Sequence, residues 1–132
     1  MENLVTQITN GVKVSVRTLF QTEYSQPAQH HYVFTYSVTI ENLSNYTIQL
    51  LNRHWLIYDT DNIFPVEVSG EGVVGQQPVM EPGESYDYVS GCNLKSEIGK
   101  MEGRYEMRRA VDGKIFFVDI PEFAMMVPYR LN

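Results

Sequence analysis

A strict two-residue alternation of side chains constrains the fold of this chain more than any other feature. From position 32 to position 40 every second residue is large and apolar, and the residues between them are smaller or polar. The apolar set is Tyr32, Phe34, Tyr36, Val38 and Ile40. Residues 12–18 repeat the pattern with valines. This period is that of a half-buried β-strand, and no long window has the period of a helix.

Turn signals at short intervals divide the chain into short strands. Asn10-Gly11 and Asp112-Gly113 each predict a tight hairpin. Residues 69–83 contain four glycines and two prolines, which predicts a loop. Connections this short permit only antiparallel pairing. Because 132 residues fit one domain, we expect a single domain over residues 1–132. Its predicted fold is all-β, an immunoglobulin or fibronectin type III antiparallel β-sandwich of about 7–9 strands.

Some boundaries within this pattern are also predicted. Residues 46–51 and 53–58 are expected to form two short strands, and residues 123–127 a separate last strand. Residues 93–100 are expected to hold one short helical turn at most.

Composition excludes several classes of partner and compartment. Sixteen acidic and ten basic side chains give a formal net charge of −6, so we expect no nucleic-acid partner because phosphate backbones repel an acidic protein. Cys92 is the single cysteine, so no internal disulfide can form. We see neither a signal peptide nor an apolar segment of roughly 20 residues, so we expect a cytoplasmic protein without a membrane partner.

The residues from Gly70 to Gly75 match the G-x-G-x-x-G pattern of dinucleotide-binding folds. In those folds the pattern opens a helix whose N-terminus binds pyrophosphate. Here Pro78 and Pro82 follow closely and argue against a helix. We therefore interpret the pattern as a loop whose glycines permit positive φ. A phosphate-binding nest of backbone amides remains an alternative.

The sequence offers no set of residues that predicts catalysis or metal binding. His30, His31, His54 and Cys92 do not have the spacing of a structural zinc site. As a nucleophile, Cys92 would need a neighbouring base or cation. We therefore expect no catalytic residue, no metal and no cofactor, and we expect that the protein is not an enzyme.

Several short motifs together resemble the ApaG family. They are Arg53-His54-Trp55, Gly70-Glu71-Gly72-Val73-Val74-Gly75-Gln76-Gln77-Pro78-Val79, Pro82-Gly83-Glu84, Ser90-Gly91-Cys92, Gly103-Arg104-Tyr105 and Ile120-Pro121-Glu122-Phe123. The resemblance covers nearly the whole chain. It implies a fibronectin-III-like sandwich and, from the bacterial members, an association with cobalt resistance and magnesium efflux. Similar domains in eukaryotic F-box and DNA-polymerase-interacting proteins imply protein binding, and a suggested pyrophosphate site would fall on Gly70, Gly72 and Gly75.

The function we expect is that of a non-enzymatic module that binds another protein. The candidate site is the loop Gly70, Glu71, Gly72, Val73, Val74 and Gly75. The segment 69–83 around it is rich in apolar residues and lacks the Lys or Arg that a pyrophosphate needs. Two alternatives remain. The loop could bind pyrophosphate, a nucleotide or a divalent cation, or Val73 and Val74 could simply fill the end of the core. A homodimer through an edge strand, such as residues 123–127, is a further candidate assembly.

Overall fold

Two antiparallel sheets form the structure, a computed structural model that describes residues 3–130. Sheet 1 has the strand order β1-β2-β3-β7 and sheet 2 the order β5-β4-β8-β9, with β6 paired to one end of β4. Sheet 1 comprises β1 (Asn3–Thr9), β2 (Val12–Phe20), β3 (Tyr32–Asn42) and β7 (Ser85–Leu94). Sheet 2 comprises β4 (Ile48–Asp59), β5 (Val66–Glu71), β6 (Val79–Met80), β8 (Ile98–Arg109) and β9 (Ile115–Met126). No helix within the described residues is long and apolar enough to cross a membrane.

The core lies between the two sheets and is built from the alternating residues. All five apolar side chains of the β3 pattern are buried, and Trp55 and Tyr105 meet them from sheet 2. The Tyr36 and Trp55 rings pack edge to face with centroids 5.5 Å apart, and Phe123 packs against both. Full burial of a side chain of this size contributes about 1.5–3 kcal/mol. The predicted all-β sandwich is therefore confirmed.

Both predicted hairpin turns are present. Asn10 and Gly11 join β1 to β2 with φ values of 52° and 78°, the two positive angles of a type I′ turn. The second hairpin joins β8 to β9, and Gly113 has a φ of 70° there.

Several predicted boundaries differ from the structure because of β-bulges. The two strands expected around position 52 are one strand, β4, whose register with β8 shifts between Leu50 and Asn52. The last strand is likewise continuous, since β9 runs through a second register shift and includes residues 123–126. A bulge inserts an unpaired residue and so interrupts the alternation without ending the strand. Residues 93–100, which were expected to hold one short helical turn at most, hold none: β7 ends at Leu94 and β8 begins at Ile98.

The two sheets meet along one side of the sandwich. The Asn10 side chain donates a hydrogen bond to the Phe117 carbonyl at 2.8 Å, and the Asp119 N–H donates to the Thr9 hydroxyl at 3.3 Å. Strands β1 and β9 therefore lie against each other. The opposite ends of the two sheets, β7 and β5, are the edges on the other side.

Candidate functional site

The candidate loop lies at the outer end of sheet 2, where β5 leads into β6. Gly70 and Glu71, predicted as loop residues, are instead the last residues of β5, because β5 stays paired with β4 as far as Glu71. The Val73 N–H donates to the Gln76 carbonyl at 2.8 Å, and the Gln76 N–H donates back to the Val73 carbonyl at 3.0 Å. Val74 and Gly75, between them, have φ values of 47° and 76°. The tip of the loop is therefore a second type I′ turn.

Each glycine of the G-x-G-x-x-G pattern has its own structural reason. A Cβ at Gly70 would lie 2.8 Å from the Arg53 guanidinium, so Gly70 provides room for a neighbouring side chain. Gly72 has a φ of 64°, and a Cβ there would lie 2.2 Å from the Gln76 carbonyl oxygen. Gly75 occupies the second central position of the turn and faces open space. Packing and turn conformation thus account for the pattern without a ligand.

The Arg53 side chain anchors the loop through hydrogen bonds to its backbone. Its Nη1 donates to the Glu71 carbonyl at 3.0 Å and to the Gly72 carbonyl at 2.9 Å. The guanidinium lies near the hydroxyls of Tyr88 and Tyr105, which hydrogen-bond to each other. Burial raises the pKa of both tyrosines, and the positive charge of Arg53 opposes that rise.

Hydrogen bonds within the protein use two backbone amides of the loop and the amide of Gln76, which follows it. The Gly72 N–H donates to the Leu51 carbonyl at 2.8 Å. Across the turn, the Val73 N–H donates to the Gln76 carbonyl and the Gln76 N–H donates to the Val73 carbonyl. The Gln77 side chain also donates to the Leu51 carbonyl, at 2.9 Å. A phosphate nest needs several free N–H groups that point at one anion, and these three are not available for that purpose.

The two valines of the loop point in different directions. Val73 is 1% exposed and belongs to the core. Val74 is 62% exposed and projects from the tip of the turn. Filling of the core therefore accounts for Val73 and leaves Val74 without a packing role of comparable size.

A concave surface that encloses a volume of about 520 Å³ lies beside the loop on the outer face of sheet 2. Register places His54 directly between Ser69 on β5 and Arg104 on β8. His54 Nδ1 lies 2.7 Å from the Ser69 hydroxyl, and the Arg104 guanidinium lies 4.5 Å from the centre of the Phe117 ring. The lining residues are Asn52, Arg53, His54, Ser69, Gly70, Glu71, Arg104, Glu106 and Phe117.

This neighbourhood changes one expectation. The sequence of the loop itself contains no basic residue, yet the fold brings Arg53 underneath it and Arg104 beside it. The signal that could have revealed them is the pairing of β4 with β5 and β8, which is not visible in local sequence.

Comparison with known proteins identifies the family. The sequence model of the ApaG domain matches residues 22–109. The chain belongs to the ApaG family. Protein ApaG of Nitrosomonas eutropha is 48% identical over 121 residues, which cover 92% of this chain and 94% of that protein. Protein ApaG of Thiobacillus denitrificans is 44% identical with the same coverage. The crystal structure of the putative ApaA protein from Bordetella pertussis is 41% identical, covers 93% of this chain and 95% of that one, and has a TM-score of 0.83.

The other chemically interesting residues of this ApaG-family chain lie apart. His30 and His31 precede β3, His54 lies in sheet 2, and Cys92 is buried on β7. Among residues 3–130 no group of three or more His, Cys, Asp or Glu side chains is placed to hold a metal ion. Burial raises the pKa of the Cys92 thiol to about 11, so the reactive thiolate is scarce at neutral pH.

Proposed function

We propose that this ApaG-family domain is a non-enzymatic module that binds another protein, and that the partner contacts the loop Gly70–Gly75. The observation that carries the proposal is the conformation of Val74. A β-branched, largely exposed side chain occupies a left-handed position at the tip of a rigid turn.

This position is costly for valine. A left-handed φ costs a non-glycine residue about 1–2 kcal/mol, and for a β-branched residue it is an outlier. The type I′ turn between β1 and β2 has Asn10 at the equivalent position, and asparagine is a residue that such turns prefer. Because Val74 is exposed, burial does not offset the cost. Strain of this kind is characteristic of sites where a side chain serves binding.

The surroundings of Val74 suit docking. The turn is fixed by its two backbone hydrogen bonds, by Arg53 and by the Gln77 side chain. A contact surface that is ordered before binding loses little conformational entropy when a partner arrives. Val79, which is 59% exposed on β6, adds to the apolar surface of the segment that follows the turn. Any connection with cobalt resistance or magnesium efflux would, on this proposal, pass through the partner.

A second candidate function is binding of a small anion, such as pyrophosphate or a nucleotide, in the concave surface beside the loop. Arg104 and His54 favour it because both line that surface with Gly70. Glu71 and Glu106 lie in the same surface and disfavour it, as does the net charge of −6. A divalent cation is not favoured there either, because no group of three or more His, Cys, Asp or Glu side chains among residues 3–130 is placed to hold one.

Two measurements separate the candidates. Amide NMR spectra are recorded while pyrophosphate, ATP and Mg²⁺ are added one at a time. Affinity capture from a cell lysate is then performed with the wild type, with Val74→Asn and with a control, Val111→Asn, whose valine is 76% exposed in the turn between β8 and β9. We expect no saturable amide shifts with any of the three ligands. We also expect a partner that the wild type and Val111→Asn capture and that Val74→Asn does not. Saturable shifts confined to residues 70–75, or a partner indifferent to Val74→Asn, would contradict the proposal.

A further inference from the structure

Three of the four sheet edges of the sandwich are protected against pairing with another chain, and the fourth, β7, is not. Strands β1 and β9 lie against each other through the Asn10 and Asp119 hydrogen bonds. Strand β5 is short and carries Glu67 and Glu71. Charged residues and short length are two of the devices by which proteins prevent unwanted pairing at a sheet edge. Strand β7 is longer than β5 and has one charged residue.

Strand β7 is long, regular and almost uncharged. It pairs with β3 over ten consecutive residues, from Ser85 to Leu94, without a register shift. It contains no proline and no lysine, and Asp87 is its one charged residue. Val89, at its centre, is 60% exposed. An exposed edge strand with these properties is a template for pairing with another chain.

The hydrogen-bonding phase of the sheet shows which groups of β7 point outward. The Asn42 N–H donates to the Glu84 carbonyl at 2.9 Å, next to the first pair of the ladder between β3 and β7. The backbone groups that point from this segment toward β3 therefore belong to its even-numbered residues. In an antiparallel ladder alternate residues bond to the same neighbour. The backbone groups of Asp87, Val89 and Gly91 therefore point away from β3. Within the described residues they have no other backbone partner.

We propose that a second copy of this chain pairs with β7 in antiparallel orientation, with a two-fold axis at Val89. Val89 then faces Val89 of the second copy, and Asp87 faces Gly91 of the second copy. Their outward N–H and C=O groups bond across the axis, so the two copies of sheet 1 form one continuous eight-stranded sheet, since each contributes four strands. Such a self-complementary interface is the usual form of a homodimer.

The same operation on the other open edge is unfavourable. A two-fold axis at Ser69 of β5 would place Glu67 directly opposite Glu71 of the second copy. Like charges in opposite positions on neighbouring strands are destabilising. In this register charge therefore disfavours self-pairing of β5.

Sedimentation velocity from about 10 to about 500 µM tests the proposal, since pairing through one edge gives modest affinity. We expect the mass to rise toward twice the 15.2 kDa of one chain. Val89→Lys places two ammonium groups opposite each other and should weaken association by at least about tenfold. The control Val66→Lys, on the edge of sheet 2, should leave association unchanged. A monomer throughout the range, or a dimer that tolerates Val89→Lys, would overturn the proposal.

Hydrogen exchange supplies a second readout that does not depend on the variant folding. In the wild type, the amides of Asp87, Val89 and Gly91 should exchange more slowly as the protein concentration rises. The amide of Ser69, on the other open edge, should not change. Protection of β5 alone would place the interface on β5 and overturn the proposal. Protection of neither strand would show that no strand pairing occurs and would overturn it as well.

Discussion

Replacing Val74 with asparagine separates the requirements of folding from those of binding. In the folded protein Val74 has a φ of 47° at the first central position of a type I′ turn. Asparagine is the preferred residue there because its short polar side chain hydrogen-bonds locally in the left-handed conformation. The substitution should therefore improve the fit between residue and backbone while removing the exposed apolar side chain.

The magnitude follows from two opposing terms. Left-handed strain costs valine about 1–2 kcal/mol, most of which asparagine avoids. Full burial of valine contributes about 1.5 kcal/mol, but Val74 is 62% exposed, so the substitution loses only about 0.5 kcal/mol of burial. The free energy of unfolding should rise by about 1 kcal/mol, which raises Tm by about 4 °C in a domain of this size.

Urea and thermal denaturation followed by circular dichroism measure this difference. Val111→Asn is the matched control, because Val111 is also exposed but has no positive φ, and it should change the stability by less than about 0.5 kcal/mol. A loss of stability in Val74→Asn would show that the side chain supports the fold. The reasoning that assigns Val74 to binding would then fail.

Three further predictions concern single groups. Gly72→Ala should lower the free energy of unfolding by more than about 2 kcal/mol, because its Cβ would lie 2.2 Å from a backbone carbonyl oxygen. Gly75→Ala, whose Cβ would face open space, should lower it by about 1 kcal/mol. The reverse order in urea denaturation would contradict this prediction. Iodoacetamide at pH 8 should label Cys92 far more slowly in the folded than in the unfolded protein, since burial raises its pKa to about 11, and equal rates would refute the assignment. Hydrogen bonding to Arg109 lowers the pKa of Asp112 from 3.8 to about 2. The contribution of ionised Asp112 to the free energy of unfolding is therefore complete above pH 3.8 and is lost as the pH falls through about 2. A normal midpoint in an NMR titration of the Asp112 carboxyl would contradict this prediction.

Local sequence predicted the core of sheet 1 well because the two-residue period is a property of each strand. The five apolar residues between Tyr32 and Ile40 are buried as the alternation indicates. Asn10-Gly11 was equally informative, since few residues other than Asn and Gly adopt two successive positive φ angles at low cost. The bulge near Leu51 could not be recognised, because it depends on how β4 meets β8.

The candidate loop was located by sequence, but its construction was not. The requirement for Gly70 comes from Arg53, a residue 17 positions earlier that reaches it only through strand pairing. The opposite environments of Val73 and Val74 depend on a turn that their own side chains do not favour. Features of this kind follow from contacts between distant segments, which a single sequence does not display.

The hydrogen bonds that close the sandwich along β1 and β9 join residues 107 and 110 positions apart. During synthesis, the hairpin of β1 and β2 is therefore made long before the strand that covers it. Until β9 has been made, β1 presents an open edge and the apolar face of sheet 1 has only part of its cover, which is the condition in which nascent chains associate with one another. Contacts of such long range also slow folding. We therefore expect this protein to depend on slow translation, low temperature or chaperones for its yield more than its small size suggests.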